Sequence, residues 1–207
     1  MTALDKSLAN RMVLSDERAA HFIRESNLIE GYGYSMGTTL EAWTQGSSNV
    51  LELDGHVKAL DFMCHSTRWL LSQKLSFSKL EQLHKILMED LLPLDKQGFR
   101  KIQVWIGGTF FRKTCPAPYE IRTKLRKWFE KVNSMEDPTV DEVWQSHLAF
   151  EHIHPFVDGN GRIGRLLWLW LRHKHKLGYG VVLDVTKNEF YYAACDKFSW
   201  DQWVKTK

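Results

Sequence analysis

Cysteine is scarce: Cys64, Cys115 and Cys195 are the only three in 207 residues, and they lie far apart. No metal-ligand or redox pair can be built from such spacing, so they read as reduced, buried thiols of a cytosol-like compartment. Charge of one sign is also scarce. Lys and Arg number 28 against 25 Asp and Glu, and a net charge of +3 is too weak to argue for nucleic acid as a partner. Long apolar runs are missing. The longest, Leu166 to Leu171, is far too short to cross a bilayer. Met1 to Leu14 mixes charge and polarity and has no apolar centre of the signal-peptide kind. These absences lead to the expectation of a cytoplasmic chain with neither membrane nor nucleic acid as partner. What is present is the balance of an ordinary folded protein, 43% hydrophobic and 26% charged, with nine tryptophans. That is enough to enclose one core, so residues 1–207 are expected to form a single domain.

Helix signals dominate the chain. Ser15 followed by Asp16 and Glu17 is a helix start, Ala19, Phe22 and Ile23 recur on one face, and Gly31 is a natural stop. Residues 31–49 carry four glycines and read as a loop or short elements. From Asp54 a helix with Val57, Leu60, Cys64 and Leu71 on one side is expected. Ser78 with Glu81 reads as a capping box ahead of Leu80, Leu83, Leu87 and Leu91, with Pro93 as the terminator. Ile121, Leu125, Trp128 and Val132 mark another helix, and Thr139 with Glu142 opens the next. Only Ile102 to Phe111 breaks the trend: rich in Ile, Val, Trp and Phe around Gly107-Gly108, it predicts a short β-hairpin closed by Pro116 and Pro118. The fold class is all-α with one hairpin.

The chemistry is concentrated in His154-Pro155-Phe156-Val157-Asp158-Gly159-Asn160-Gly161-Arg162-Ile163-Gly164-Arg165. Ile163, Leu166, Leu167 and Trp170 predict a buried helix running to Gly178, which puts the Gly-Asn-Gly stretch at its N-terminus. Free backbone N–H groups and the positive end of the helix dipole meet there, with no side chains to keep an anion away. Arg162 and Arg165 add two permanent cations one turn apart. Asp158 can hold Mg²⁺, which binds through a carboxylate together with phosphate oxygens. His154 is the group whose ordinary pKa lets it accept a proton near neutrality. A base, a metal carboxylate and a polyphosphate cradle amount to phosphoryl or nucleotidyl transfer.

This string resembles the Fic family motif, His-Pro-Phe-x-(Asp/Glu)-Gly-Asn-(Gly/Lys)-Arg with a second Arg three residues on, at every defined position. The resemblance implies an all-α Fic-type bundle with a hairpin flap over the site and a catalytic core over about residues 54–195. It implies a protein adenylyltransferase that moves AMP from ATP to a Ser, Thr or Tyr hydroxyl of a target protein and releases pyrophosphate. By position, His154 would be the base and Asp158 the Mg²⁺ ligand. Gly159, Asn160, Gly161 and Arg162 would form the anion hole, and Arg165 would hold the γ-phosphate. Ile106, Gly107, Gly108 and Thr109 would be the target-docking flap. Glycine at both 159 and 161 resembles the AMP-transferring members.

Ser26-Asn27-Leu28-Ile29-Glu30-Gly31 resembles the family's inhibitory pattern, (Ser/Thr)-x-x-x-Glu-(Gly/Asn), in a helix over about 15–31. That implies Glu30 facing Arg165 in place of the γ-phosphate, with Ser26 and Gly31 completing the motif. The same residues also suit a plain helix end capped by Gly31. Tyr191 and Tyr192 fall where relatives place the adenosine pocket, although the Glu-Gly-Asp and Pro-Phe pattern common beyond it is missing. The basic run His173 to Lys176 suits a helix C-terminus, and His152 suits local packing. Trp200 and Trp203 could dock the tail or a partner. The expected partners are a target hydroxyl and the chain itself by self-modification, and a homodimer is compatible. Three rival readings share the motif: removal of AMP with Glu30 positioning water, a binding module without turnover, and a growth-arresting toxin with the same chemistry.

Overall fold

Ser15 caps the first helix, α1 (Asp16–Ile29), by accepting the Arg18 N–H, and Asp16 and Glu17 lie in its first turn. Residues 11–106, 113–179 and 188–206 are described by a computed structural model of the chain. Its elements continue with α2 (Met36–Gln45), α3 (Leu51–His65), α4 (Thr67–Leu71) and α5 (Phe77–Met88). A two-stranded hairpin follows, β1 (Trp105–Ile106) and β2 (Lys113–Thr114), then α6 (Ile121–Ser134), α7 (Val140–Ile153), α8 (Asn160–Lys174), α9 (Asn188–Lys197) and α10 (Trp200–Lys205). The strands are antiparallel, with Trp105 opposite Thr114 and Ile106 opposite Lys113.

α8 is the axis of the molecule. Twelve of its residues are buried, and α1, α3, α5 and α7 all pack on it. A helix buried almost all round has no polar face to spare, so its three arginines, Arg162, Arg165 and Arg172, must find partners inside the protein. The core is continuous around it, from Phe22 and Ile23 on α1 through Leu53 and Leu60 on α3 to Trp128, Phe150 and Trp170. Nearly all the tryptophans belong to this core or its edge; Trp105 of β1 is exposed. The three cysteines are free and buried, and burial pushes the Cys64 and Cys115 thiols up to about 12 and 11.

Several boundaries differ from the sequence reading. The helix expected to run from Asp54 through Leu71 begins at Leu51 and breaks at Ser66, whose hydroxyl accepts the Trp69 N–H and starts α4. The cap of α5 is Ser76, two residues before Ser78, and that helix ends at Met88, well before Pro93, which instead opens a short 3₁₀ turn. Residues 31–49 contain a helix of ten residues capped by Ser35. The hairpin's second strand ends at Thr114, beyond Phe111, and residues 107–112, with Gly107, Gly108 and Thr109 of the expected flap, lie outside the described residues. Thr139 and Glu142 do form the reciprocal capping box, with Glu142 accepting the Thr139 N–H at 2.7 Å.

Candidate active site

The loop between α7 and α8 carries His154 and Asp158, and several side chains fix its path. α7 ends at His154, which takes a left-handed conformation at φ 48° and ψ 61° and turns the chain. Arg100 is buried and donates through Nε to the His154 carbonyl at 2.7 Å and through Nη2 to Pro116 at 2.6 Å. The Arg100 N–H donates to the Pro155 carbonyl at 2.9 Å. On the other side, the His84 ring stacks on Phe156 at 3.7 Å, and its Nε2 donates to the Asp158 carbonyl at 3.0 Å. Asn160 turns inward. Its Oδ1 accepts the Phe156 N–H at 2.8 Å and its Nδ2 donates to the Phe156 carbonyl at 2.9 Å. The Asn160 side chain is thus spent on the loop, and only its backbone N–H can face an anion.

Gly159 sits at the N-cap of α8 with φ 79°, a conformation that side chains strain to adopt, and no side chain caps the helix. Its first N–H groups are therefore open to a ligand. Beside them Arg162 is buried, and its Nε and Nη1 have no hydrogen-bond partner among the described residues. Its Nη2 reaches only Met88 Sδ at 3.6 Å and Asp158 Oδ1 at 3.8 Å. A buried guanidinium left so poorly matched is costly to the fold, and an anion at the α8 N-terminus would satisfy it.

Arg165 is fully engaged instead. Its Nε donates to Ser26 Oγ at 2.8 Å, and its Nη2 donates to the Ser26 carbonyl at 2.9 Å and to Glu30 Oε1 at 2.5 Å. Nη1 donates to Tyr191 Oη at 3.4 Å. Glu30 is the C-cap of α1, and Gly31 follows it with φ 92°. Burial alone would raise the Glu30 carboxyl, but the charge and hydrogen bond of Arg165 outweigh it and hold the carboxyl below its ordinary value. Glycine at 161 leaves room for this pair, because a Cβ there would collide with Glu30 Oε1. The expected meeting of Ser26, Glu30 and Arg165 is therefore observed.

His154, Glu30, Gly161 and Arg165 line a cavity of about 460 Å³ with Ile29, Ile106, Glu151, Tyr191 and Tyr192. Burial pushes the His154 imidazole down to about 4, so it is neutral at physiological pH and able to accept a proton. Its Nδ1 donates to the Glu151 carbonyl at 3.3 Å, which leaves Nε2 as the free lone pair. Asp158 keeps 59% of its side chain exposed and accepts the Gly159 N–H at 2.5 Å. No group of three or more His, Cys, Asp or Glu gathers a metal site among the described residues. A lone carboxylate beside an anion cradle suits an ion that arrives with phosphate, and suits Mg²⁺ better than a dedicated protein cage would.

Tyr191 and Tyr192 both line this cavity but sit differently in it. Tyr191 is buried between His147, at 2.9 Å from its hydroxyl, and Arg165, while Tyr192 is 44% exposed and donates to the Ile29 carbonyl at 3.0 Å. His152 stacks on Trp200, as local packing requires. Trp200 and Trp203 are both buried, so they dock the C-terminal helix. The sequence reading missed Glu151, His147, Arg100 and His84, because nothing in local spacing distinguishes a polar residue that meets a motif only after folding.

Residues 74–171 match the Fic/DOC family. The chain carries a Fic/DOC family domain. "Protein adenylyltransferase Fic" of Drosophila persimilis is 31% identical over 147 residues, covering 67% of this chain and 28% of that protein. Its counterpart in Drosophila grimshawi is 27% identical over 169 residues, 77% of this chain and 34% of that protein. The chain thus spans about a third of the length of these curated relatives. A Fic domain containing signaling protein from Bacteroides thetaiotaomicron superposes with a TM-score of 0.69 at 17% identity, covering 99% of this chain and 85% of that one. Fic-1 from C. elegans superposes at 0.65 with 22% identity, covering 95% and 57%. The architecture is the mostly helical Fic fold with its antiparallel hairpin. No helix among the described residues is long and apolar enough to cross a membrane.

Proposed function

We propose that this Fic domain is a protein adenylyltransferase held in check by Glu30. The observation that carries the reading is the buried Arg162 guanidinium, unpaired at two nitrogens beside the uncapped start of α8. It asks for an anion where a triphosphate would lie. In the reaction, a target hydroxyl oxygen attacks the α-phosphorus of ATP, the bond to the β-phosphate oxygen breaks, and pyrophosphate leaves. The hydroxyl proton passes to His154 Nε2. Arg162 and the α8 N–H groups hold the phosphates. Asp158 would hold Mg²⁺, which when bound offsets the phosphate charge. The acceptor is a Ser, Thr or Tyr of a target protein or of the chain itself.

Glu30 occupies the cation that the γ-phosphate needs. A charge-assisted pair of this kind is worth roughly 1.5–3 kcal/mol, about one to two powers of ten in competition with ATP. Incubation with α-labelled ATP should therefore show Glu30→Gly incorporating roughly 10–100 times more AMP than the unaltered chain. Glu30→Gly/His154→Ala should incorporate none while still binding nucleotide, and Glu30→Gly/Arg165→Ala should lose the gain. A folded, ATP-binding Glu30→Gly protein without incorporation into itself or lysate proteins would refute the proposal. The partly exposed Glu30 carboxylate at the cavity also favours a second reading, water-driven removal of AMP, and release of AMP from a modified target would identify it.

A further inference from the structure

Glu151 is a carboxyl where none is expected. It lies on α7 three residues before the base, and only 4% of its surface is exposed. Its Oε2 stands 3.8 Å from His154 Nδ1, and its Oε1 has no hydrogen-bond partner among the described residues. α8 has made room for it, since a Cβ on Gly164 would collide with Oε1 and approach His147 at 3.0 Å. A core that needed only packing would place an apolar side chain here, because an unmatched buried carboxyl costs stability.

We propose that Glu151 is a positioning residue for the base: its carbonyl fixes the Nδ1–H form of His154, and its carboxylate strengthens Nε2 as a proton acceptor. The inference rests on the transfer reading above, in which His154 takes the hydroxyl proton. An imidazolium formed at Nε2 carries positive charge at Nδ1–H, and an anion within 4 Å in a dry site stabilises it. The proton stays on His154, and Glu151 changes only the strength of the base.

The charge state of Glu151 then controls the rate. Burial, with the charge of Glu30 adding to it and that of Arg165 opposing it, pushes the carboxyl up to about 8. Besides Arg165 on α8 and Glu30 on α1, the groups that face it are His147 and His154 on its own helix, Tyr191, Tyr192 and Cys195 on α9, and Cys115 after β2. Burial raises both tyrosines and both thiols, so they stay neutral through this range, and burial keeps His147 unprotonated. At low pH Glu151 is neutral and the base is weak. As pH rises Glu151 ionises and the base strengthens.

The test uses the full chain with Glu30→Gly, alone and with Glu151→Gln or Glu151→Asp. kcat of the parent should rise through the neutral range, while the Gln variant stays flat and falls about 10- to 100-fold behind at high pH, as loss of a histidine's outer partner does. The two should converge at low pH, ATP affinity should be unchanged, and Asp should restore part of the rise. In NMR titrations the His154 ring should show a step belonging to Glu151 that the Gln variant lacks. That step is read without turnover, so it stands even where no AMP transfer is found, a result that would count against the functional reading alone. Parallel pH profiles with an unchanged His154 titration would overturn the role of Glu151. So would a uniform loss at every pH that tracks a lower melting temperature.

Discussion

Arg165 and Arg162 lie one turn apart on the same buried helix, and the structure treats them oppositely. Arg165 spends its donors on Ser26, Glu30 and Tyr191, whereas Arg162 keeps two nitrogens unpaired. One cation is answered from within the chain and the other is left without a matching acceptor among the described residues. Asp158 belongs to the same division of labour, since its carboxylate is open to solvent while the backbone around it is tied down by His84 and Asn160. Asp158→Asn should therefore fold normally and bind nucleotide, yet lose Mg²⁺-dependent transfer in the Glu30→Gly background, because a neutral amide is a poor ligand for a hard cation. A titration of rate against Mg²⁺ checks this, and an undiminished rate at low Mg²⁺ would show that the carboxylate has another task.

At the scale of elements, the site depends on how closely α3, α5 and α8 approach one another. Gly55 of α3 faces the Leu87 carbonyl of α5 so closely that an added Cβ would strike the backbone oxygen. Gly55→Ala must push the two helices apart, at a cost of about 1–3 kcal/mol. In a chain of this length that lowers the thermal midpoint by roughly 2–4 °C per kcal/mol, and an unchanged melt would contradict the packing. Much of this layer was legible beforehand. Thr139 with Glu142, Ser15 with its acids and the apolar spacing on α6 each declare a helix locally. Where two serines competed, at Ser76 and Ser78, local pattern chose the wrong one, because either could cap and only tertiary packing decides the register. The break at Ser66 was hidden for the same reason: Val57 to Leu71 keeps helical spacing across a kink. The twelve-residue motif was legible because its chemistry is contiguous. Arg100 and His84 were not, since their partners lie across folded distances that no window of sequence contains, and Glu151, only three residues from His154, was missed because its burial is set by the fold.

For the whole molecule, burying so many imidazoles has a price in acid. Burial pushes His84, His152 and His154 down to about 4 and His147 down to about 3, all below the ordinary 6.5. An unfolded chain takes up these protons first, so their contribution is fully present above pH 6.5 and is lost as pH falls toward 3–4. Glu151 works in the opposite sense. Its raised carboxyl favours the folded state below its ordinary 4.5 and loses that advantage as pH rises toward 8. With His56, His173 and His175, which burial also lowers, seven imidazoles against this one carboxyl predict a thermal midpoint that drops steeply between pH 6.5 and 4, which calorimetry across that range will show, and a flat profile would contradict the burial of these rings.

The Glu30 clamp is carried on α1, and α1 is part of the core through Ala19, Phe22, Ile23 and Ile29. The carboxylate is therefore tethered to Arg165 at an effective concentration set by the fold, which neither dilution nor crowding of the protein alters. On the reading proposed above, the check on transfer has the character of a threshold for the nucleotide, and every copy of the chain carries the same one. Because Glu30 is the C-cap, one residue past Ile29, with its side chain 30% exposed, its carboxylate can turn away from Arg165 while Ser26, inside the helix, keeps its hold on that arginine. On the reading proposed above, release costs that one ion pair, and the core stays closed.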